Sequence, residues 1–320
     1  MILSSSAGVP RADLAGVMVQ RTTEMSHFVG LDLMPILNVG VVSGRFYKIA
    51  KARAHKIYDT LKRPFAAPSR SEHELEADTY SCDEYMHDEP VDRWHRRVFG
   101  EQYNPDQLAA ENCALILMRD LERRILAELI NNTNFPLSGN TGLTVSNVWN
   151  GASGTPVTDI NTALEAFRAR GAPKPDLLVL GEKAADGMAS NPEILNRIKY
   201  VASVVENPRW AEEQLAKALG IDRVRIARSR VNTANDGITA SLSPQLGVGD
   251  AFLAVTSNRQ SFQDWQLGRT VQFTQEIGGM FGASSGYDRN INADIVRGET
   301  NYDVKLISSD CGFRFASVAS

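Results

Sequence analysis

The sequence predicts an α+β protein in which an extended arm and a long hairpin precede one long helix and a compact α/β unit. Apolar residues or proline occupy every second position of residues 29–41, which is the pattern of a half-buried extended strand. A helix start at Asn104 opens an apolar pattern of spacing three and four that continues to residue 129. Helix and strand patterns then alternate over residues 156–249.

The extended arm of residues 29–41 contains Pro35. Proline has no backbone N–H to donate to a strand ladder, so we expect the arm at a sheet edge or lying across a surface. The residues before Val29 are rich in Ser, Ala and Gly. That composition predicts a loosely tied terminus.

A charge inversion marks the segment after the arm. Between Arg45 and Arg70 there are eight basic residues and one acid, whereas residues 72–92 contain nine acids and no Lys or Arg. Pro64 and Pro68 lie between the two halves and are typical turn residues. The sequence therefore predicts a long hairpin with one basic limb and one acidic limb.

The long helix is predicted over residues 105–131. Asn104 is a typical N-cap, Pro105 suits the first helical position and Asp106 puts an acid in the first turn. At 1.5 Å per residue this helix would be about 40 Å long, which suits a spine for other elements. Its apolar face consists of Ala110, Ala114, Met118, Leu121, Ile125 and Leu129.

The α/β unit follows a passage rich in Gly, Ser, Thr and Asn. A helix is predicted over residues 158–170 with Gly171 as its end, and the pairs Asn191-Pro192 and Asn207-Pro208 start two more helices. Strands are predicted at residues 177–180, 223–227, 251–256, 270–273 and 304–307. The chain after residue 250 is expected to be rich in strands and poor in helices.

Composition and charge exclude several classes of protein. A net charge of -4 and a pI near 5.8 argue against a protein whose main task is to neutralise phosphates. No stretch approaches the ~20 apolar residues of a membrane span, and the N-terminus lacks a secretory pattern, so an intracellular start is expected. Cys82, Cys113 and Cys311 fit neither a disulfide framework nor a zinc site and are expected to be reduced thiols.

No catalytic or metal-binding constellation stands out in the sequence. The five histidines, all in the first third of the chain, lack the spacing that places metal ligands on one site. Cys82 and His87 would be a nucleophile and its base, but both lie in the acidic limb, where carboxylates raise the pKa of a thiol. We therefore expect no enzyme activity, no cofactor and no bound metal.

Several segments resemble one family and occur in its order. Residues 33–39 (LMPILNV) with 44–49 (GRFYKI), and residues 79–85 (TYSCDEY), resemble the arm and the returning loop strand of Hong Kong 97-type major capsid proteins of tailed phages. Further similar segments follow at residues 153–160 (SGTPVTDI), 173–181 (PKPDLLVLG), 215–220 (LAKALG) and 303–305 (DVK). The resemblance covers residues 28–315, nearly the whole chain.

The resemblance implies the tailed-phage major capsid fold, with four parts. These are an N-terminal arm (1–43), an extended β-hairpin loop (44–92), a peripheral domain with a long spine helix (93–155 and 250–320) and an α/β axial domain (156–249). The N-terminus shows no long charged helical segment of the kind that serves some relatives as a built-in scaffold. Either a separate scaffolding protein or removal of that segment is expected.

The resemblance also implies a structural role. The subunit would assemble with itself into hexamers and pentamers of an icosahedral phage head that encloses double-stranded DNA without sequence-specific binding. Scaffolding, portal and decoration proteins would be its other partners, with no membrane. It would be located in the virion after assembly in the host cytoplasm.

The charged limbs supply candidate contacts between subunits. The candidates are Lys48, Lys51, Arg53 and Lys56 on the basic limb and Glu72, Glu74, Glu76 and Asp78 on the acidic limb. Exposed ion pairs contribute only ~0–1 kcal/mol each, yet a shell repeats them many times and they set register. Pairing of the limbs within one hairpin is an equally weighted alternative.

Two other functions are kept as alternatives. An encapsulin-like nanocompartment shares the implied fold but packages a cargo enzyme, and neighbouring genes for a portal and terminase or for a cargo protein would distinguish the two. An α/β enzyme built on residues 156–249 would need a ligand in a real pocket.

Overall fold

The computed structural model describes residues 9–23, 27–49, 55–62, 64, 67–70, 75–99, 104–151, 153–201, 212–235, 237–247, 249–274 and 279–319. The elements up to residue 130 are β1 (Val9–Pro10), α1 (Ala12–Thr23), α2 (Gly30–Leu33), β2 (Ile36–Val39), β3 (Ser43–Ile49), β4 (Leu75–Ser81), β5 (Asp83–Asp92), α3 (Arg93–Phe99) and α4 (Pro105–Ile130).

The elements after residue 130 are β6 (Gly142–Thr144), α5 (Pro156–Arg170), β7 (Leu177–Gly181), α6 (Glu182–Ser190), α7 (Pro192–Val201), α8 (Glu212–Leu219), β8 (Arg223–Ala227), β9 (Arg230–Asn232), β10 (Leu242–Pro244), β11 (Ala251–Ala254), β12 (Gly268–Phe273), β13 (Gly282–Asp288), β14 (Ala293–Leu306), a 3-10 helix (Ser309–Cys311) and β15 (Gly312–Ala316).

The predicted long helix is confirmed as α4, and we call it the spine helix. The Asn104 side chain accepts hydrogen bonds from the backbone N–H groups of Asp106 and Gln107, which caps the helix as the sequence predicts. All six residues of the predicted apolar face are buried. The last turn is held by Arg314 of β15, whose guanidinium donates to the carbonyl of Ile130 and to the Asn132 side chain.

A six-stranded sheet lies beside the spine helix. Its order is β1-β13-β14-β12-β2, and β5 pairs antiparallel with β14 from Asp83↔Tyr302 to Asp92↔Ala293. Helix α1 packs on the spine helix and buries Leu14 and Met18. The strands predicted at 270–273 and 304–307 are confirmed within β12 and β14.

A five-stranded sheet forms the centre of the α/β part, in the order β6-β15-β11-β7-β8. Strand β7 lies inside this sheet, with β8 parallel on one side and β11 antiparallel on the other, and all five of its residues are buried. The predicted helix over 158–170 is confirmed as α5, and Gly171 ends it with a φ of 69°, where a side chain would be strained. This sheet therefore contains strands from before and after position 249, the predicted end of the axial domain.

Two predictions for the N-terminal part are wrong. Residues 30–33 form the short helix α2, and the strand of the arm is limited to β2, an edge strand parallel to β12. Residues 12–23 are a helix, whereas the sequence predicted a loose terminus up to Val29. In both cases the cause is a contact with the distant spine helix, which provides a buried surface for α1 and an N-terminal hydrogen-bond acceptor for α2.

The α/β unit is confirmed where the structure describes it, whereas the predicted hairpin is confirmed only in part. The described residues 55–62 and 67–70 form no strand, and residues 83–92 of the acidic limb pair with β14 instead of the basic limb. Strands β3 and β4 pair antiparallel, and helix α7 starts at Pro192 with the Asn191 side chain accepting from the Glu193 N–H. The predicted helix start at Asn207-Pro208 lies outside the described residues. After residue 250, the described part of the chain contains the short 3-10 helix and otherwise strands and loops.

Candidate intersubunit surface

The hairpin is a separate two-stranded sheet whose base is attached to the body by aromatic residues. Strand β3 runs from Ser43, opposite Ser81, to Ile49, opposite Leu75. Phe46 is buried, and its ring stacks on that of Phe262 with centroids 4.2 Å apart. The Tyr80 ring stacks on the same Phe262 ring at 5.8 Å. This three-ring contact fixes the direction in which the hairpin leaves the body.

One cross-limb ion pair lies within the hairpin. The Lys48 ammonium is 2.7 Å from the Asp78 carboxylate, and both side chains are partly exposed. Burial alone would raise the pKa of Asp78, but hydrogen bonds from Lys48 and from the Thr79 N–H outweigh it and the pKa is lowered. This pair matches the alternative in which the limbs pair within one hairpin.

The structure places the other candidate residues in different surroundings. Lys56 is exposed and its ammonium lies 5.2 Å from the centre of the Tyr58 ring, while Glu76 is exposed opposite Lys48 in the strand register. Lys51, Arg53, Glu72 and Glu74 lie outside the described residues. A role for these residues between subunits stays a prediction.

The acidic limb continues into β5, where part of its charge is neutralised inside the chain. Arg297 of β14 makes two hydrogen bonds to the Asp88 carboxylate, at 2.6 and 2.7 Å. The Glu89 carboxylate accepts from the Asn112 amide of the spine helix. No strand in the described part of the chain pairs with the outer edge of β5. Charged residues and proline are typical of an edge strand that is protected from unspecific pairing, and β5 carries five acids and Pro90.

A cavity of about 230 Å³ separates the hairpin from the loop before β12. Lys48 and Glu76 line it from the hairpin, and Asp264 and Trp265 line it from the loop. The His55 ring meets the Trp265 ring edge-on, with centroids 5.5 Å apart. Residue 55 of the extended loop therefore lies against the body of its own subunit.

Four exposed apolar side chains, which the sequence analysis missed, lie on α3, on the first turn of the spine helix and in the turn between β13 and β14. We call Trp94, Val98, Leu108 and Ile291 the sheet-tip surface, since each of these apolar side chains is exposed. Arg96 of α3 holds it together through salt bridges at 2.5 Å to Asp106 of the spine helix and to Asp294 of β14. The spacing of four between Trp94 and Val98 was its one signal in the sequence.

The suggested thiol pair is not assembled as a catalytic site. Cys82 is buried, and burial with the nearby Asp303 carboxylate raises its pKa to about 11. His87 lies five residues further along an extended segment, and at ~3.3 Å per residue its backbone is roughly 16 Å from that of Cys82, too far for a hydrogen bond between the two side chains. All three cysteines are buried, and none forms a disulfide. The acidic limb raises the thiol pKa as predicted, although burial is the larger cause.

The described residues hold neither a metal-ligand cluster nor a membrane-spanning helix. They contain no group of three or more His, Cys, Asp or Glu side chains arranged to hold a metal ion. They also contain no helix that combines the length and apolar character needed to cross a bilayer.

No protein-family model matches the chain. Among curated proteins, the major capsid protein of Pseudomonas phage JBD67 is 22% identical over 247 residues, which are 77% of this chain and 77% of that protein. The major capsid protein of Burkholderia phage BcepMu is 27% identical over 177 residues, which are 55% of this chain and 56% of that protein.

Solved structures show the same fold over nearly the whole chain. A phage-related protein from Bordetella bronchiseptica matches with a TM-score of 0.74 and 19% identity, covering 98% of this chain and 99% of that one. A chain from the capsid structure of cyanophage P-SCSP1u matches with a TM-score of 0.58 and 10% identity, covering 90% of this chain and 87% of that one. The chain therefore has the α+β fold of phage capsid proteins, as the sequence predicted. The curated proteins that it resembles in sequence are phage major capsid proteins.

Proposed function

We propose that this chain is the major capsid subunit of a tailed phage of the Hong Kong 97 type. It assembles with itself into hexamers and pentamers that close an icosahedral head around double-stranded DNA. The observation that carries the proposal is that both reported curated relatives are phage major capsid proteins, one of them matched over 77% of this chain. The shared fold over 98% of the chain supports it.

The four predicted parts are retained in this proposal. The arm is residues 1–43, the extended loop 44–92, the axial domain 156–249 and the peripheral domain the remainder. The role is structural, and the site of action is the virion after assembly in the host cytoplasm. Scaffolding, portal and decoration proteins are the further partners, and the DNA is enclosed without sequence-specific binding.

Electron microscopy of the purified protein tests the proposal directly. We expect closed shells or capsomer rings in negative stain, with early elution from a size-exclusion column. A monomer or dimer at every salt and protein concentration, with a scaffold supplied, would contradict a shell-forming role. Shells recovered from phage-infected cells with packaged DNA support a phage head, whereas an enclosed cargo protein supports the nanocompartment alternative.

The Lys48–Asp78 pair allows a test of where the limbs make their contacts. Lys48→Glu and Asp78→Lys each break the pair and are expected to destabilise the isolated subunit by only ~0–1 kcal/mol, because both side chains are partly exposed. The double variant is made in a Glu76→Gln background, because Glu76 lies directly opposite position 48, and it restores an ion pair inside the hairpin with reversed polarity. If the contact is internal, the double variant forms shells at the wild-type yield; if the same residues bind a neighbouring subunit, assembly stays impaired although the hairpin is repaired.

The exposed Lys56 gives a separate prediction for contacts between subunits. We expect charge reversal at Lys51 and Lys56 together to lower the yield of shells, and the difference from wild type to shrink as salt is added. Subunit stability measured by denaturation serves as the control and should change little, since Lys56 is exposed. Unchanged assembly across the salt series would count against an intersubunit role for the basic limb.

A further inference from the structure

The outer edge of β2 is hydrogen-bonded by a side chain instead of a strand. Within the described residues β2 is the last strand of its sheet, parallel to β12. The Asn38 N–H donates to Gln260 Oε1 at 3.3 Å, and Gln260 Nε2 donates to the Ile36 carbonyl at 3.2 Å. A side-chain amide carries both an acceptor and donors, so Gln260 makes two of the bonds that a neighbouring strand would make.

The two backbone groups that Gln260 binds point away from the rest of the sheet. The Pro35 carbonyl accepts from the Thr270 N–H of β12. Backbone groups of alternate residues in a strand point to opposite edges, so residues 35, 37 and 39 face β12 while residues 36 and 38 face outward. The contact with Gln260 therefore covers a free edge and leaves the ladder between β2 and β12 intact.

Buried side chains hold the residues on either side of Gln260. The Arg269 guanidinium donates to the carbonyl of Arg259, and Gln266 Nε2 donates to the carbonyl of Ser261 at 2.9 Å. Both Arg269 and Gln266 are fully buried, whereas Gln260 is exposed. The loop before β12 is thus fixed from inside, and it presents the Gln260 side chain to the edge of β2.

The edge of β2 differs in charge from the open edge of β5. β5 carries five acids, and like charges oppose its pairing with the same strand of a second copy. β2 has the sequence ILNV and contains no charged residue. Charge repulsion therefore does not protect the edge of β2, and the side chain of Gln260 takes that place.

A second copy of β2 fits this edge by symmetry. Two copies placed antiparallel about a two-fold axis at Leu37 bring residue 36 of each chain opposite residue 38 of the other. In such a pair the Asn38 N–H donates to the Ile36 carbonyl of the second copy, and the Ile36 carbonyl accepts from the Asn38 N–H of that copy. These are the same two backbone groups that Gln260 binds within one chain. The edge is therefore complementary to itself.

We propose that β2 is a pairing site for β2 of a second copy, and that Gln260 keeps this site closed in the free subunit. The inference concerns a contact between two chains and does not depend on the proposed function.

Hydrogen exchange of the Asn38 amide in Gln260→Ala tests both parts of the proposal. At low protein concentration we expect its protection factor to fall roughly tenfold below that of the wild type, because the variant lacks the acceptor. As the concentration is raised, protection at Asn38 and Ile36 should increase, since two copies pair at this edge. The wild type should show no such increase. Gln263→Ala, which changes a glutamine of the same loop that lines the cavity beside the hairpin, should behave as the wild type does.

Three results would overturn the proposal. Unchanged protection of Asn38 in Gln260→Ala would mean that another part of the chain covers the edge. Protection that falls but does not recover with concentration would mean that the open edge does not accept a second copy. The amides on the outer edge of β5 are the internal reference, because the acids of β5 keep that edge unpaired. An increase with concentration that includes β5, or that is equal in Gln263→Ala, would come from general association and not from pairing at β2.

Discussion

Replacing Trp149 with alanine is expected to lower the free energy of unfolding by about 3–5 kcal/mol. The side chain is fully buried, and its ring lies 5.6 Å from that of Phe315 in the five-stranded sheet. Its indole N–H donates to the Asp159 carboxylate at 2.7 Å. Alanine would leave a cavity of indole size and remove the donor from a carboxylate whose pKa burial already raises.

The position of Trp149 makes this loss more than a local one. The Trp149 backbone N–H donates to the carbonyl of Val318 near the C-terminus, and its carbonyl accepts from the buried Asn191 side chain at the start of α7. Trp149 lies just before α5, where the predicted peripheral part meets the predicted axial part. We therefore expect the midpoint of chemical denaturation, followed by circular dichroism, to shift strongly.

Trp94→Ala is the matched control for that measurement. Trp94 is 62% exposed on the sheet-tip surface, so its removal should change stability by about 0.5 kcal/mol or less. A similar loss of stability in both variants would mean that removing any tryptophan has this effect, whether or not it is buried at the junction. A Trp149→Ala variant as stable as the wild type would contradict the junction role.

Two buried arginines, like Trp149, make hydrogen bonds between separate segments of the chain. Arg170, at the end of α5, donates to the carbonyls of Ser309 and Gly312 around the 3-10 helix. Arg314 of β15 donates to the last carbonyl of the spine helix. A guanidinium has several donors in a fixed plane, so one buried side chain can satisfy carbonyls from separate segments. The contacts between these segments thus include buried hydrogen bonds from arginine as well as apolar packing.

The elements that the sequence predicted well are those whose signals are local. The spine helix has its cap, its first-turn proline and its apolar face within residues 104–131, and α5 has its terminal Gly171. The hairpin follows from two flanking strands with opposite charge. Each of these signals acts over a few residues, so no knowledge of the rest of the chain is needed to interpret it.

The errors fall where a distant residue decides the local structure. Residues 29–33 alternate as a strand would, yet Glu122, 92 positions beyond Gly30, caps them as a helix. Charged limbs predict that ion pairs form but not which ones, because Lys48 bonds Asp78 diagonally while Glu76 is its partner in register. Strand register and long-range caps depend on the tertiary structure, which a single sequence does not specify at this level.

Gly298→Val is expected to destabilise the subunit by about 1–3 kcal/mol through overpacking between the six-stranded sheet and its helices. A Cβ at Gly298 of β14 would lie 2.6 Å from Met18 Cε of α1 and 3.0 Å from Cys113 Cβ of the spine helix. Met18 can swing aside, but Cys113 Cβ is fixed to the helix backbone. The helix must therefore move away from the strand.

Gly286→Val on the neighbouring strand β13 separates this packing effect from a general effect of replacing glycine. A Cβ at Gly286 meets nothing within 4 Å, and valine suits a strand, so stability should be unchanged or slightly higher. Equal losses of stability in the two variants would mean that the effect comes from the loss of glycine flexibility in a strand and not from the close contact with the helix. A loss confined to Gly298→Val would show that the sheet can approach the spine helix so closely because this position lacks a side chain. Stability at this position then requires a residue without a Cβ atom. The pattern of apolar residues in the sequence does not reveal such a requirement.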